Sequence, residues 1–113
     1  MNDKSSNQNA TAPVVSNTTS MSLMDFRRHI DEIDDEIVRL FKDRMNVSRE
    51  IACYKKEHGL STLDATREQD KLASIDEKAG VELRTYAHAL YSTILKLSRE
   101  YQDVTLHSPS LRV

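Results

Sequence analysis

Residues that break regular structure are scarce in this sequence. Its 113 residues include two glycines, two prolines and no tryptophan, whereas 30% of them are charged. Few breakers and many charges disfavour a β-sandwich or a barrel and favour long helices. A chain of this length has room for one small domain.

Other absences limit where the protein acts and what it binds. Cys53 is the only cysteine, so no internal disulfide can form, which fits a reducing compartment. No apolar run approaches the roughly 18 residues of a transmembrane helix, and the N-terminus lacks the apolar core of a signal peptide. The formal net charge of −2 points to neither a nucleic-acid nor a membrane partner. We therefore expect a cytoplasmic protein.

Composition divides the chain into three parts. Residues 1–20 are rich in Asn, Ser and Thr and carry too little apolar surface to offset the entropy of ordering, so we expect a disordered extension. Residues 21–105 are expected to form the folded domain. Residues 106–113 contain a proline and are expected to be a frayed tail or the start of a linker.

Apolar residues recur at helical spacing throughout the expected domain. Ser22 is a plausible cap for a first helix, which continues without glycine or proline for about 35 residues, roughly 50 Å, until Gly59 ends it. Asp64 is expected to cap a second helix that Gly80 ends, and a third helix is expected over about residues 81–104. The predicted fold class is all-α, with three helices per chain, one of them very long.

The length of the first helix poses a packing problem. A helix of roughly 50 Å is longer than a compact domain of about 90 residues is wide. Its far end would have nothing from its own chain to cover it, and the simplest solution is a second copy packed alongside. We therefore predict an intertwined helical homodimer.

Polar residues interrupt the apolar stripes of all three predicted helices. In the first helix, Arg44 and Lys55 are eleven residues apart, which at 100° each is three turns plus about 20°, so both lie on one inward stripe. The residues that share this property are Arg44, Ser48 and Lys55 in the first helix, Glu68 with Arg67 beside it in the second, and Ser98 and Gln102 in the third.

Each of these residues also has an ordinary explanation. Long cationic side chains reach past apolar surface to water, acidic residues such as Asp64 and Glu68 suit a helix start, and Ser98 and Gln102 suit a surface. Their joint occurrence argues for a site, because buried charges need partners. Cations outnumber anions here, so we expect the missing partner to be a small anion. Cys53 and the four histidines lack the spacing of metal ligands, and we expect no metal.

At these residues the sequence resembles the all-helical (type II) class of chorismate mutases, over about residues 22–104. The matching pieces are FRRHIDEIDDEIVRLFKDRM, IACYKKEHGL, LDATREQDKL and ILKLSREYQ. The run IDxID…LxxxR…IAxYKK…DxxRE is specific, because spacing and residue type agree over some 45 residues. The resemblance implies an isomerase that converts chorismate to prephenate by a pericyclic [3,3] (Claisen) rearrangement in phenylalanine and tyrosine biosynthesis, with no cofactor.

The resemblance also implies a role for each matching residue. Arg44, Lys55 and Arg67 would face the two carboxylates and the ether oxygen of chorismate. Ser98 would bind near a carboxylate, and Gln102 would donate to the ether oxygen together with Lys55. These residue types suit their tasks, because an Arg fork binds a carboxylate bidentately whereas Lys is a point charge.

Three further residues complete the implied site. Glu68 would accept a hydrogen bond from the ring hydroxyl, and Asp64 would organise the cationic cluster or receive a hydrogen bond at the pocket entrance. Arg27 would enter the pocket of the partner subunit. It lies 17 residues from Arg44, about 25 Å along a straight helix, so it cannot reach the pocket that Arg44 of its own chain serves.

Two alternatives stay open beside the mutase. An isochorismate-pyruvate lyase would keep the scaffold and the cationic pocket but is expected to lack a carboxylate such as Glu68. A non-catalytic regulatory or interaction domain would keep the stripes but lose pocket cations. Mutase domains of this kind often stand at the N-terminus of prephenate dehydratases, prephenate dehydrogenases or aldol-type synthases, so fusion to a downstream pathway enzyme is an alternative to a free-standing protein.

Overall fold

The protein is all-helical in the part that the structure describes. The computed structural model describes residues 20–107, which contain helix α1 (Leu23–Glu57) and helix α2 (Ala65–His107) and no strand. The chain divides into two compact units, Met1–Arg39 and Leu40–Val113. The predicted all-α class is confirmed. The predicted extension falls outside the described residues except for Ser20, and the predicted tail does so beyond His107.

A reciprocal pair of hydrogen bonds starts α1. The Oγ of Ser22 accepts from the backbone N–H of Asp25 at 3.1 Å, and the Asp25 carboxylate accepts from the backbone N–H of Ser22 at 3.0 Å. This arrangement satisfies amides that the first helical turn leaves without partners. The Ser22 N–H, followed by the Arg28 guanidinium, lowers the pKa of the Asp25 carboxyl. The predicted cap at Ser22 is confirmed.

Gly59 ends α1 as predicted. Its φ is 65°, in the left-handed region that favours glycine. The amide of Leu60 donates to the Lys55 carbonyl at 2.8 Å, and the Gly59 amide donates to the Lys56 carbonyl at 3.4 Å. These two bonds form a Schellman motif, which satisfies the last carbonyls of the helix and redirects the chain immediately after Lys55.

The prediction of three helices is wrong as a count, because the second and third predicted helices form the single element α2. Gly80 interrupts α2 with a non-helical backbone (φ 82°, ψ 168°), and helical residues continue on both sides without a connecting loop. The break therefore lies at the predicted position, but it consists of a single residue.

Contacts along α2 show that the chain reverses at this break. The Asp76 carboxylate lies 2.8 Å from Nδ1 of His88, and the Glu68 carboxylate lies 2.9 Å from Nε of Arg99. On a straight helix, residues 31 apart would be separated by about 46 Å. The two halves of α2 thus lie side by side within the second unit.

The buried positions are few and mostly small or polar. Ala52 and Leu95 are the buried apolar residues in the described part of the chain, and Ser48, Ser98, Gln102 and Thr105 are the buried polar ones. Many large apolar side chains are instead exposed. In the first unit these include Phe26, Ile30, Ile33 and Ile37, and in the second unit Leu40, Val47, Ile51, Leu83, Tyr86 and Leu90.

A substitution at Gly80 tests the reversal of α2. A Cβ built on Gly80 meets no atom within 4 Å, so the cost of Gly80→Ala is backbone strain alone. Its φ and ψ lie in a region that is essentially restricted to glycine, and we expect a loss of about 1–3 kcal/mol in the free energy of unfolding. Gly59→Asn is the control, because Asn tolerates the left-handed region and should cost at most about 0.5 kcal/mol. Urea unfolding measures both, and a Gly80→Ala variant as stable as the parent would contradict the reversal.

Candidate functional site

A cavity of about 710 Å³ with many charged residues in its walls lies in the second unit. Its walls come from the second half of α1, the connection between the helices and both halves of α2. The lining residues are Asp43, Arg44, Val47, Ser48, Ile51, Lys55, Thr62, Asp64, Arg67, Glu68, Lys71, Leu95, Ser98, Arg99 and Gln102. The reversal at Gly80 is what brings the start and the end of α2 to the same cavity.

The cavity brings together seven of the eight residues that the sequence analysis assigned to the site. They are Arg44, Lys55, Asp64, Arg67, Glu68, Ser98 and Gln102. Ser48, which shares the inward stripe of Arg44, is buried in the same wall. The eighth residue, Arg27, belongs to the first unit, and its part in a site stays a prediction.

Arg44 and Ser98 join α1 to the second half of α2. Nη1 of Arg44 donates to Oγ of Ser98, whose side chain is buried. Ser98 also lies 4.0 Å from Sδ of Met45. Because Ser98 anchors one nitrogen of the guanidinium, the remaining donors of Arg44 are held in a fixed orientation at the cavity wall.

Lys55 lies at the junction of three segments. Its ammonium donates to the Thr62 carbonyl at 2.9 Å and to Oε1 of Gln102 at 3.5 Å. An ammonium has three donors, so one N–H of Lys55 is left for a ligand. Gln102 is buried, and its Nε2 makes no hydrogen bond to any residue between 20 and 107. The cavity therefore holds two adjacent donor groups that are positioned but not saturated.

Asp64 fixes the start of α2. Its Oδ1 accepts from the backbone N–H of Arg67 at 3.0 Å, which is the geometry of an N-cap. Asp64 was predicted as a helix cap, which is confirmed, and as a site residue. It lines the cavity, and its role there stays a prediction. The cap sets the first turn of α2, from which Arg67 and Glu68 extend.

Glu68 is paired with a cation that the sequence analysis did not single out. Nε of Arg99 donates to Oε2 of Glu68 at 2.9 Å, and both side chains line the cavity. The pair is partly shielded from water, with side-chain exposures of 36% for Arg99 and 22% for Glu68. One carboxylate oxygen of Glu68 remains available, because no hydrogen bond from residues 20–107 reaches Oε1.

The cavity carries an excess of positive charge, although the whole chain does not. Five cationic side chains (Arg44, Lys55, Arg67, Lys71, Arg99) and three anionic ones (Asp43, Asp64, Glu68) line it, which leaves a formal charge of +2 against −2 for the protein. The charge of Arg67 is the first cause that lowers the pKa of the Lys71 ammonium, followed by burial and by the charges of Lys78 and Arg44.

Four polar lining residues were missed by the sequence analysis. Asp43, Lys71 and Arg99 are charged residues on helices, and such residues usually face water, so the sequence alone carries no strong signal for them. Lys71 follows Arg67 by four residues, which is the only hint. Thr62 contributes through its backbone carbonyl, for which the residue type is uninformative.

Two other features are absent from residues 20–107, a metal-binding cluster and a membrane-spanning helix. No group of three or more His, Cys, Asp or Glu side chains has the arrangement of a metal site in this part of the chain. Neither α1 nor α2 contains a stretch apolar enough to cross a membrane.

Comparison with known proteins agrees with the sequence resemblance. The family model for chorismate mutase type II matches residues 26–103, a range that contains every residue lining the cavity. No curated protein and no solved structure gives a significant match. Because the family model covers more than half of the sequence, the chain belongs to the type II chorismate mutase family.

Proposed function

We propose that this protein is an active chorismate mutase, which converts chorismate to prephenate. The observation that carries the proposal is the cavity with an excess of two positive charges and two unsaturated donor groups, on Lys55 and Gln102. Chorismate is a dianion, so its charge balances that of the cavity. We place the reaction in the cytoplasm, in the branch of the shikimate pathway that leads to phenylalanine and tyrosine.

The protein forms no covalent bond to the substrate in this reaction. In the [3,3] rearrangement the C–O bond of the ether breaks while a C–C bond forms within the same molecule. No proton is transferred, no nucleophile adds, and negative charge builds on the ether oxygen in the transition state. An enzyme accelerates such a step by holding the side chain over the ring and by placing fixed donors at the ether oxygen.

The donors at Lys55 and Gln102 suit the ether oxygen. Lys55 has one N–H left after its bonds to Thr62 and Gln102, and Nε2 of Gln102 has no described partner. Both groups are held before substrate arrives, so they need no reorganisation during the reaction. Loss of one such donor typically costs about 2.7–4 kcal/mol of transition-state stabilisation.

The other charged groups of the cavity would bind and orient the substrate. Arg44, steadied by Ser98, and Arg67 offer forked donors for the two carboxylates. Glu68 would accept from the ring hydroxyl through the oxygen that Arg99 leaves free. We favour the mutase over an isochorismate-pyruvate lyase because of this carboxylate. We favour it over a non-catalytic domain because five cationic side chains line the cavity.

We also propose that the active form is a homodimer in which Arg27 serves the cavity of the partner. The first unit exposes Phe26, Ile30, Ile33 and Ile37, with exposed fractions of 43–57%. Their steps of four, three and four residues place them on one helix face. An apolar face of this kind marks an interface, and a second copy of the chain can cover it reciprocally through a two-fold axis.

The first experiment tests the reaction and the donor role of Gln102 together. The parent, incubated with chorismate, should yield prephenate, and its kcat/KM should change little between pH 5 and pH 8. Gln102→Glu replaces an amide donor by a carboxylate, which donates only when protonated, and the reference pKa of Glu is about 4.3. We expect kcat/KM to fall at least about a hundredfold at pH 7.5 and to recover as the pH is lowered.

Gln69→Glu is the matched control, because Gln69 is exposed on α2 and does not line the cavity. It should retain the parental profile. Salicylate and pyruvate as products of isochorismate, without prephenate from chorismate, would contradict the mutase. Parental activity of Gln102→Glu at pH 7.5 would contradict its role as a donor.

A second experiment tests the shared site. Arg27→Ala and Arg44→Ala should each be nearly inactive alone. When the two are mixed, unfolded and refolded, half of the dimers should be mixed, and one cavity in each mixed dimer should hold both arginines. About a quarter of all cavities should therefore be active, by the symmetry of the interface.

The mixture should show about that share of the parental kcat with a normal KM. Each variant refolded alone is the control, and native mass spectrometry measures the fraction of mixed dimers. Background activity in a sample that contains mixed dimers would show that both arginines serve one chain's own cavity.

A further inference from the structure

Two of the five cations in the cavity have no anionic or hydrogen-bonding partner for their side chains among the described residues. Arg44 donates to Ser98, Lys55 to Thr62 and Gln102, and Arg99 to Glu68. The side chains of Arg67 and Lys71 make no hydrogen bond or ion pair with any residue between 20 and 107. Lys71 is half-buried, so water compensates its charge only in part.

The spacing of Arg67 and Lys71 makes them neighbours. They are four residues apart on α2, which places them one turn apart on the same face, and like charges in this relation repel each other. The charge of Arg67 is the largest cause that lowers the pKa of the Lys71 ammonium, followed by burial and by the charges of Lys78 on α2 and Arg44 on α1.

We propose that Lys71 is an anion-binding residue of the cavity and contacts a carboxylate of the substrate together with Arg67. This inference rests on the proposed function, from which it takes the dianionic substrate. An anion between the two side chains replaces a repulsion by two attractive, charge-assisted contacts. Lys71 would thus contribute to substrate affinity and would not act on the ether oxygen, where Lys55 and Gln102 already supply donors.

Lys78 offers a matched control for the alternative that Lys71 only raises the positive potential of the region. Lys78 lies seven residues further along α2, about two turns away, and its charge acts on Lys71. It is exposed and does not line the cavity. Lys78→Gln therefore removes the same charge from the same helix without removing a cavity contact.

The experiment compares Lys71→Gln, Lys71→Arg and Lys78→Gln. For each variant we would measure kcat and KM with chorismate, and the Kd of the non-reactive dianion isophthalate by calorimetry, in 0.05 and 0.3 M NaCl. Lys71→Gln should raise KM and Kd about tenfold or more at both salt concentrations, with kcat within about threefold of the parent. Lys71→Arg should restore most of the affinity, and Lys78→Gln should stay within about twofold.

Equal effects of Lys71→Gln and Lys78→Gln on KM and Kd would overturn the inference while leaving a mutase activity intact. Conversely, a parent that binds isophthalate through Lys71 but does not convert chorismate would contradict the proposed function and leave the anion site standing. A measurement on the unsubstituted protein tests the same contact without the risk that a variant misfolds. In NMR titrations with isophthalate, the pKa of Lys71 should rise and that of Lys78 should not, and an unchanged Lys71 would contradict the proposal.

Discussion

The ammonium group of Lys55 lies where the end of α1, the connection between the helices and the second half of α2 meet. A cation that is partly withdrawn from water needs polar partners, because its desolvation otherwise costs several kcal/mol. Thr62 supplies one through a backbone carbonyl and Gln102 supplies another through its amide oxygen. For Thr62 and Gln102 to reach the Lys55 ammonium, the chain must turn away from α1 just after Lys55 and later come back alongside it. The Schellman motif at Gly59 provides the first turn, and the reversal at Gly80 provides the second.

The same reversal explains why the cavity contains paired charges from distant positions. Glu68 begins α2 and Arg99 lies near its end, yet their side chains are 2.9 Å apart. The small and polar character of the buried positions follows from the same demand, since Ser98 and Gln102 are there to bind Arg44 and Lys55. Much of the interior of the second unit is therefore polar, and large apolar side chains are exposed on its surface.

Much of this arrangement could be predicted from the sequence, and the failures have physical reasons. The start and end of α1 followed from Ser22 and Gly59, whose backbone roles depend on residue type. The count of helices was wrong because one glycine can reverse a helix without a loop, and spacing alone cannot distinguish that from two separate helices. Six of the seven predicted site residues that line the cavity drew attention because they interrupt apolar stripes or lie beside a residue that does, and the seventh, Asp64, was added by the family resemblance. Arg99 and Lys71 were missed because a charged residue on a helix is ordinarily solvated, and only the folded arrangement shows that both line the cavity.

We propose that the cations on the inward faces are held in place for a dianionic ligand. Ligand-linked stability tests it directly, because a ligand that binds only the folded state raises the free energy of unfolding, by about 2.7 kcal/mol at a hundred times its Kd. The measurement is the urea midpoint of the parent as isophthalate is added at constant ionic strength, with benzoate as the monoanion of the same ring. We expect a saturable rise of the urea midpoint with isophthalate and a much smaller rise with benzoate. Equal shifts for the two anions, or no shift for either, would show that the cations are not arranged for a dianion.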